Sequence, residues 1–521
     1  MTTARRREGS CGGRGRGGVR RLGWVRAMVG VAVLTLASVS LAVGVASAGV
    51  GSASASPLAG APGARSNGPA ADLSTELSGG QGVFMGTAIP VDLARAGYVE
   101  HEFAAAGTAT SYKTDSPLGA DGRWAFGPDA QAPYRTRVLV RRPANPSRFS
   151  GTVVVEWLNV SGGVDADPEW ATLHEELIRR GDVWVGVSAQ RIGVVGGPVL
   201  VQVNVPGSDA AGKGLAAIDP TRYGSLQHPG DGFAFDIYTQ VARAVRGGAA
   251  LGGLHPQRLI AAGESQSAFA MVTYYNGVQP LTHAFDGFFV HSRGAIGLPL
   301  VPAGQYADIA HAIAGTPAIF RTDQRTPVMD VQTETDVASI LNSYAARQPD
   351  SGRFRLWEVP GTAHADAHLL ASNLRYIDCG VSVNNGPLHV VAKAAMHALK
   401  TWLVSSSAPA RAPRIDVAAG AKPVIVRNAD GIAQGGIRTP PLDVPVAALS
   451  GNPGPNPSTI CLLLGSTTAF SPARIAQLYP SRAAYLKRFD AAADAGIKAG
   501  FILREDRQAL LAFAEPSRIN H

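Results

Sequence analysis

Between residues 134 and 359, short Val-rich runs alternate with stretches whose apolar residues recur at helical spacing, and no other pattern in the 521 residues limits the fold so strongly. Residues 134–141 (YRTRVLVR) and 152–158 (TVVVEWL) read as strands, 169–180 as a helix, 183–187 as a strand and 233–246 as a helix. A strand at 258–262, a helix at 267–275 and strands at 285–290, 328–332 and 354–359 continue the series. Strands that alternate with helices predict an α/β fold: a mostly parallel sheet with helices on both faces and its chemistry on loops at the strands' carboxyl ends.

Composition supports a folded chain. With 45% hydrophobic and 17% charged residues there is enough apolar material for a sizeable core, so wholesale disorder is excluded. The 61 Gly and 35 Pro follow no G-X-Y period, which excludes a collagen-like chain. Two stretches, 191–230 and 294–325, are too long for plain connections and are expected to be lids or substrate-binding insertions. Residues 73–130, broken by Gly and Pro, carry no clear elements and are expected to pack as an N-terminal extension. After residue 404 a Pro and Ala linker (SSSAPARAPR) leads to a region whose last part, 472–514, is mostly helical in pattern. The expected organisation is therefore a leader over 1–48, a flexible linker over 49–72, the α/β domain over 73–404 and a C-terminal region over 405–521 packed on it.

The leader accounts for the charge. Residues 1–48 hold eight Arg, no Lys and one Glu, so the formal +8 of the whole chain falls to +1 when the +7 of this segment is set aside. A nearly neutral body has no basic field to draw in a polyanion, and nucleic acid is not an expected partner. The segment has an Arg-bearing start, an uncharged apolar stretch over 27–45 and then Ala46-Ser47-Ala48, the small residues that precede a signal-peptidase cut. A secretory signal is expected, which makes the protein secreted or associated with the cell envelope, touching a membrane only transiently during export. The apolar run is long enough for an uncleaved anchor, but the A-x-A site favours cleavage. Arg20-Arg21 leaves the export route open. Cys11 departs with the leader, leaving Cys379 and Cys461, an even number in an oxidising compartment, and a disulfide is expected in preference to two buried thiols.

The sharpest local signal is Gly263-Glu264-Ser265-Gln266-Ser267, between a strand and a helix. A sharp strand-to-helix turn with small neighbours pushes the central serine out toward solvent, the arrangement of a nucleophile elbow, although Ser267 stands where Gly is more usual. A serine that merely caps the helix is the plainer alternative. Serine oxygen attacks only when a base takes its proton and a carboxylate holds that base. Candidates follow in order: Glu334 and Asp336 after the strand that ends near residue 332, then His364 after the strand that ends near 359. For the oxyanion, the backbone N–H of Gln266 is one candidate donor, and the Gly-rich loop Asn159-Val160-Ser161-Gly162-Gly163 offers a second at Val160. Asn159, Gly162 and His291 are the candidate substrate contacts.

These residues, together with VVVEWLNVSGG (153–163), GESQSA (263–268), VHSRG (290–294), TETDV (333–337), GTAHAD (361–366), GGIRTPPLDVP (435–445) and LLGSTTAF (463–470), resemble the α/β-hydrolase superfamily and, over most of the mature chain, a bacterial family of exported α/β-hydrolase-domain proteins. The resemblance implies hydrolysis of small or polymeric carboxylic esters through an acyl-enzyme, with Ser265 as nucleophile, His364 as base and Asp336 as the orienting acid. Asp336 is preferred over Glu334 for its distance from the strand, the other carboxylate then being a solvated loop charge. Amide or lactone cleavage would use the same groups, and a non-catalytic binding protein could keep the scaffold.

Other patterns carry less. His364 and His368 are four apart, but Ala365 stands where a zincin has Glu and no third ligand is evident, so no metal is expected. No dinucleotide fingerprint or P-loop occurs, and no cofactor is expected. Trp157, Trp170 and Trp184 read as core aromatics, and Arg293, like His291, as either pocket lining or structural.

Overall fold

The fold is taken from a computed structural model that describes residues 67–87, 89–312, 315–418 and 422–520. The expected leader and most of the expected linker lie outside the described residues. Nine strands form the main sheet: β1 (Asp72–Glu76), β2 (Tyr98–Lys113), β3 (Gly127–Pro143), β4 (Thr152–Trp157), β5 (Val183–Val187), β6 (Arg258–Glu264), β7 (Gly287–His291), β8 (Val328–Thr333) and β9 (Phe354–Val359). Their order is β1-β2-β3-β5-β4-β6-β7-β8-β9. The first three and β5 pair antiparallel in turn, and from β5 onward every pair is parallel. This is the α/β-hydrolase architecture.

Burial explains why Val-rich runs became strands. Every residue of β4, β5, β7, β8 and β9 is buried, because helices cover both faces. Along β4 the two-residue period splits the side chains: Val153, Val155 and Trp157 enter the core beneath the helix Ala234–Arg246, while Val154, like Leu158 beyond the strand, faces the helices Pro168–Arg180 and Leu388–Ser405. All three tryptophans at 157, 170 and 184 are buried in these cores.

The chain leaves β4 toward β5 on one side and returns to β6 on the other, so a crevice opens at the carboxyl ends of β4 and β6, where the winding reverses. That crevice positions the site described below.

Two expectations gain detail. Residues 73–130, expected to pack as an N-terminal extension without clear elements, contain β1, the long β2 and the start of β3, which continue the sheet. Strand β2 contains Ala104-Ala105-Ala106-Gly107, residues of low strand propensity, yet a side chain at Gly107 would collide with Gln240 and Tyr134. Close packing, not propensity, holds this strand. The segment after Ser405 is likewise no free linker. Trp357 and Arg355 of β9 donate to the carbonyls of Ala410 (3.1 Å) and Pro409 (2.7 Å).

The C-terminal region adds the hairpin Ala447–Ser450/Ser466–Ala469 and the helices Pro472–Leu478 and Arg482–Ala499. Asp506 accepts from Arg179 at 2.9 Å and pairs with buried Lys393 at 3.1 Å. Cys379 and Cys461 stand at disulfide-bonding distance, with Cα atoms 5.4 Å apart. Among the described residues, no helix is long and apolar enough to cross a membrane.

Candidate active site

Ser265 sits between β6 and the helix Gln266–Thr273 with φ 56° and ψ −119°, a strained backbone for a residue with a side chain. Two contacts hold it there. Its N–H donates to the His291 carbonyl at 3.0 Å, and the backbone at Gly263 comes so near the new helix that an added Cβ would lie 2.8 Å from the Ser267 carbonyl oxygen. Glycine is required at 263 by that close approach.

His364 reaches the serine from the loop after β9. Its Nε2 lies 2.8 Å from Ser265 Oγ, and its Nδ1 lies 2.7 Å from Asp336 Oδ1. Residues 334–338 form a one-turn helix, not the expected loop, and its capping box selects the carboxylate. Asp336 Oδ2 accepts from the Thr333 N–H at 2.7 Å while the Thr333 hydroxyl accepts from the Asp336 N–H at 3.2 Å, which leaves Oδ1 facing the imidazole. The spacing T-x-x-D was the sequence signal that separates Asp336 from Glu334.

Glu334 is not the solvated charge expected of it. It is buried and accepts from Arg427 at 2.5 Å, from the Gly361 N–H at 2.7 Å and from the Gly451 N–H at 2.8 Å. One carboxylate thus ties the start of the His364 loop to the C-terminal region. The N–H of Ala365 adds a bond to the Leu463 carbonyl at 3.1 Å.

Electrostatics favour an ion-pair-ready imidazole. Burial lowers the His364 pKa, but the Asp336 charge and hydrogen bond, with a contribution from Glu264, raise it above 6.5 on balance. Burial raises Asp336, and the His364 charge and its hydrogen bonds outweigh this and lower it. Sequence reading missed Glu264. Its carboxylate is 5% exposed, lies 3.5 Å from His364 Nε2 and is pushed up to about 7, first by burial.

The oxyanion candidates lie together. Val160 follows Asn159 in the loop after β4, and its N–H donates to Gln266 Oε1 at 3.3 Å. Gln190 accepts from Trp157 at 2.9 Å, donates to Asp231 at 3.1 Å and accepts from the Gln266 amide, and this fixes how that amide faces. Asn159 donates to the Glu264 carbonyl at 3.1 Å and accepts from the Ser161 N–H at 2.8 Å. Asn159, Gly162, Glu264, Ser265 and His364 line a cavity of about 770 Å³, to which both the first insertion and the C-terminal residues Ile460 and Leu463 contribute.

His291 does not join them. It is 2% exposed, lies 3.5 Å from buried Glu169 and is raised to about 9, because Glu169 outweighs burial. The ring sits behind the site instead of lining the large cavity, since β7 turns it toward the helix Pro168–Arg180. Arg293 is also structural: it donates to Asp330 at 2.9 Å and to the carbonyls of Ala318 (3.1 Å) and Ala346 (3.0 Å). His368 stacks on His389 with ring centroids 3.8 Å apart. Among the described residues no group of three or more His, Cys, Asp or Glu is placed to hold a metal ion.

A model of the family described as "Alpha/beta hydrolase domain" matches residues 66–512. The chain belongs to this family. Solved structures similar to this α/β hydrolase include an α/β serine hydrolase without a lid from Xanthomonas campestris (15% identity, 57% of this chain and 94% of that one, TM-score 0.27). Others are a Rhizomucor miehei esterase (10%, 58% and 85%, 0.29) and a serine hydrolase homologue from Coxiella burnetii (15%, 47% and 88%, 0.24). Scores this low carry no inference about substrate. No curated protein gives a significant match.

Proposed function

We propose that the protein is an exported serine hydrolase that cleaves carboxylic esters through an acyl-enzyme. The observation that carries this reading is the unbroken chain from Ser265 Oγ to His364 Nε2 (2.8 Å) and from His364 Nδ1 to Asp336 (2.7 Å), with the serine on a strained elbow in the wall of a cavity. His364 takes the hydroxyl proton as Ser265 Oγ attacks the ester carbonyl, and Asp336 holds the imidazolium that forms. The carbonyl oxygen, now an anion, accepts from the N–H groups of Gln266 and Val160, displacing the weak 3.3 Å contact between Val160 and the Gln266 side chain. Collapse expels the alcohol with the proton from His364. Water then gives a proton to His364, attacks the acyl-enzyme and frees the acid, and the proton returns to Ser265. None of these steps uses a cofactor.

Ester substrates, small or polymeric, suit a cavity of about 770 Å³ with a partly polar lining. The leader over 1–48 and the nearly neutral body support release from the cell.

The direct test is labelling of the mature protein with a fluorophosphonate, followed by peptide mass spectrometry. Stoichiometric modification at Ser265, lost in His364→Ala, is the expected result. Labelling at another residue, or none, would reject this reading.

A further inference from the structure

A second cavity, about 200 Å³, lies beside the first. Among the described residues only Ser161 and Val199 line both. The partition is built into the backbone: the N–H groups of Leu200 and Val201, from the first insertion, both donate to the Ser161 carbonyl, at 3.0 and 2.8 Å. The insertion is thereby strapped onto the loop that carries Val160.

The two cavities differ in what they touch. His364 and Ser265 line the larger one, with neutral hydrogen-bonding side chains such as Thr87, Gln202, Asn204 and Asn373. Gln266 and Val160 line the smaller one, and Ile192, Pro198, Leu200 and Ile309 make it largely apolar. The ester carbon bonded to Ser265 has three other substituents. Its oxygen goes to the two backbone donors, and its leaving oxygen must face His364, which gives it a proton. The acyl chain takes the remaining direction, away from His364 and toward the donors.

Building on the hydrolase reading, we infer that the smaller cavity receives the acyl group and the larger one the alcohol. The substrate class is then an ester of a short apolar acid with a bulky, uncharged, hydroxyl-bearing alcohol. No lysine or arginine lines either cavity among the described residues, whereas Asp308 lines the smaller one and Asp209 and Glu264 the larger, so an anionic substrate is disfavoured.

Two exposed positions test this without disturbing the core: Leu200, which lines only the smaller cavity, and Ser372, which lines only the larger. Acyl preference is read with p-nitrophenyl esters from acetate to octanoate, and alcohol preference with glucose 6-butyrate against ethyl butyrate in a pH-stat. Wild-type kcat/KM should favour glucose 6-butyrate, and Leu200→Trp should lower turnover of hexanoate and octanoate by about tenfold while sparing acetate. Ser372→Trp should lower glucose 6-butyrate relative to ethyl butyrate and leave the chain-length preference within the p-nitrophenyl series unchanged, whatever it does to their absolute rates. Near-UV circular dichroism checks folding, and Leu200→Phe and Ser372→Phe replace any variant that fails it. Interchanged sensitivities, or folded variants that alter neither preference, would overturn the assignment while leaving the hydrolase reading intact. If the wild type turns over no ester at all, that reading falls and the assignment with it.

Discussion

At the scale of single residues, the side chains that were legible were those whose local backbone demands a particular chemistry. Ser265 could be read because a strand-to-helix turn needs Gly263 and a small residue at 267, and His364 because chain order placed it on the last loop. Glu264, His291 and Arg293 could not be assigned, since whether a charged side chain is buried, and beside what, depends on packing that neighbouring letters do not record. Glu264 has a measurable consequence. His364 is faced by Asp336, Glu264 and His291, and the carboxylates hold its pKa above 6.5, so activity should fall with decreasing pH through a midpoint above the ordinary histidine value. Glu264→Gln removes one raising charge, and the acid limb of kcat/KM should move to lower pH. An unmoved limb in the pH–rate profile would show that His364 does not sense Glu264.

At the scale of elements, the parallel strands were readable because burial on both faces requires uninterrupted apolar runs, as in β4, β5 and β9. Strand β2 was not, because Gly107 serves close contact with Tyr134 and Gln240, and neither it nor the three alanines before it has strand propensity of its own. The segment after β8 is a one-turn helix where the sequence reads as a loop, and its capping box adds a physical reason to the preference for Asp336 over Glu334, which had rested on distance from the strand alone. Their separation is testable. Glu334→Ala removes the carboxylate to which Arg427 and the N–H groups of Gly361 and Gly451 donate, and urea unfolding should show a loss of about 3–5 kcal/mol, as for a broken buried ion pair. A loss below about 1 kcal/mol would mean that the pair behaves like an exposed one.

At the scale of the whole molecule, the site is assembled from distant parts of the chain: the elbow and His364 from the sheet, the cavity wall from the first insertion, and Ile460 and Leu463 from the C-terminal region. That last contribution was invisible in the sequence, since it depends on how the C-terminal region folds back. The cysteine pair closes an 82-residue separation beside it, and on the chain-entropy estimate a bridge of that span stabilises by about 4.5 kcal/mol. Cys379→Ser with Cys461→Ser should therefore lower Tm and also reduce kcat/KM, because Cys461 adjoins Ile460 in the cavity wall; an unchanged Tm would contradict the bridge. The central claim, that Ser265 oxygen is the attacking atom, is tested most directly by p-nitrophenyl butyrate hydrolysis with Ser265→Ala. A fall in kcat of about 10⁴-fold or more, with the fold intact by circular dichroism, is predicted, and wild-type turnover by that variant would contradict the account.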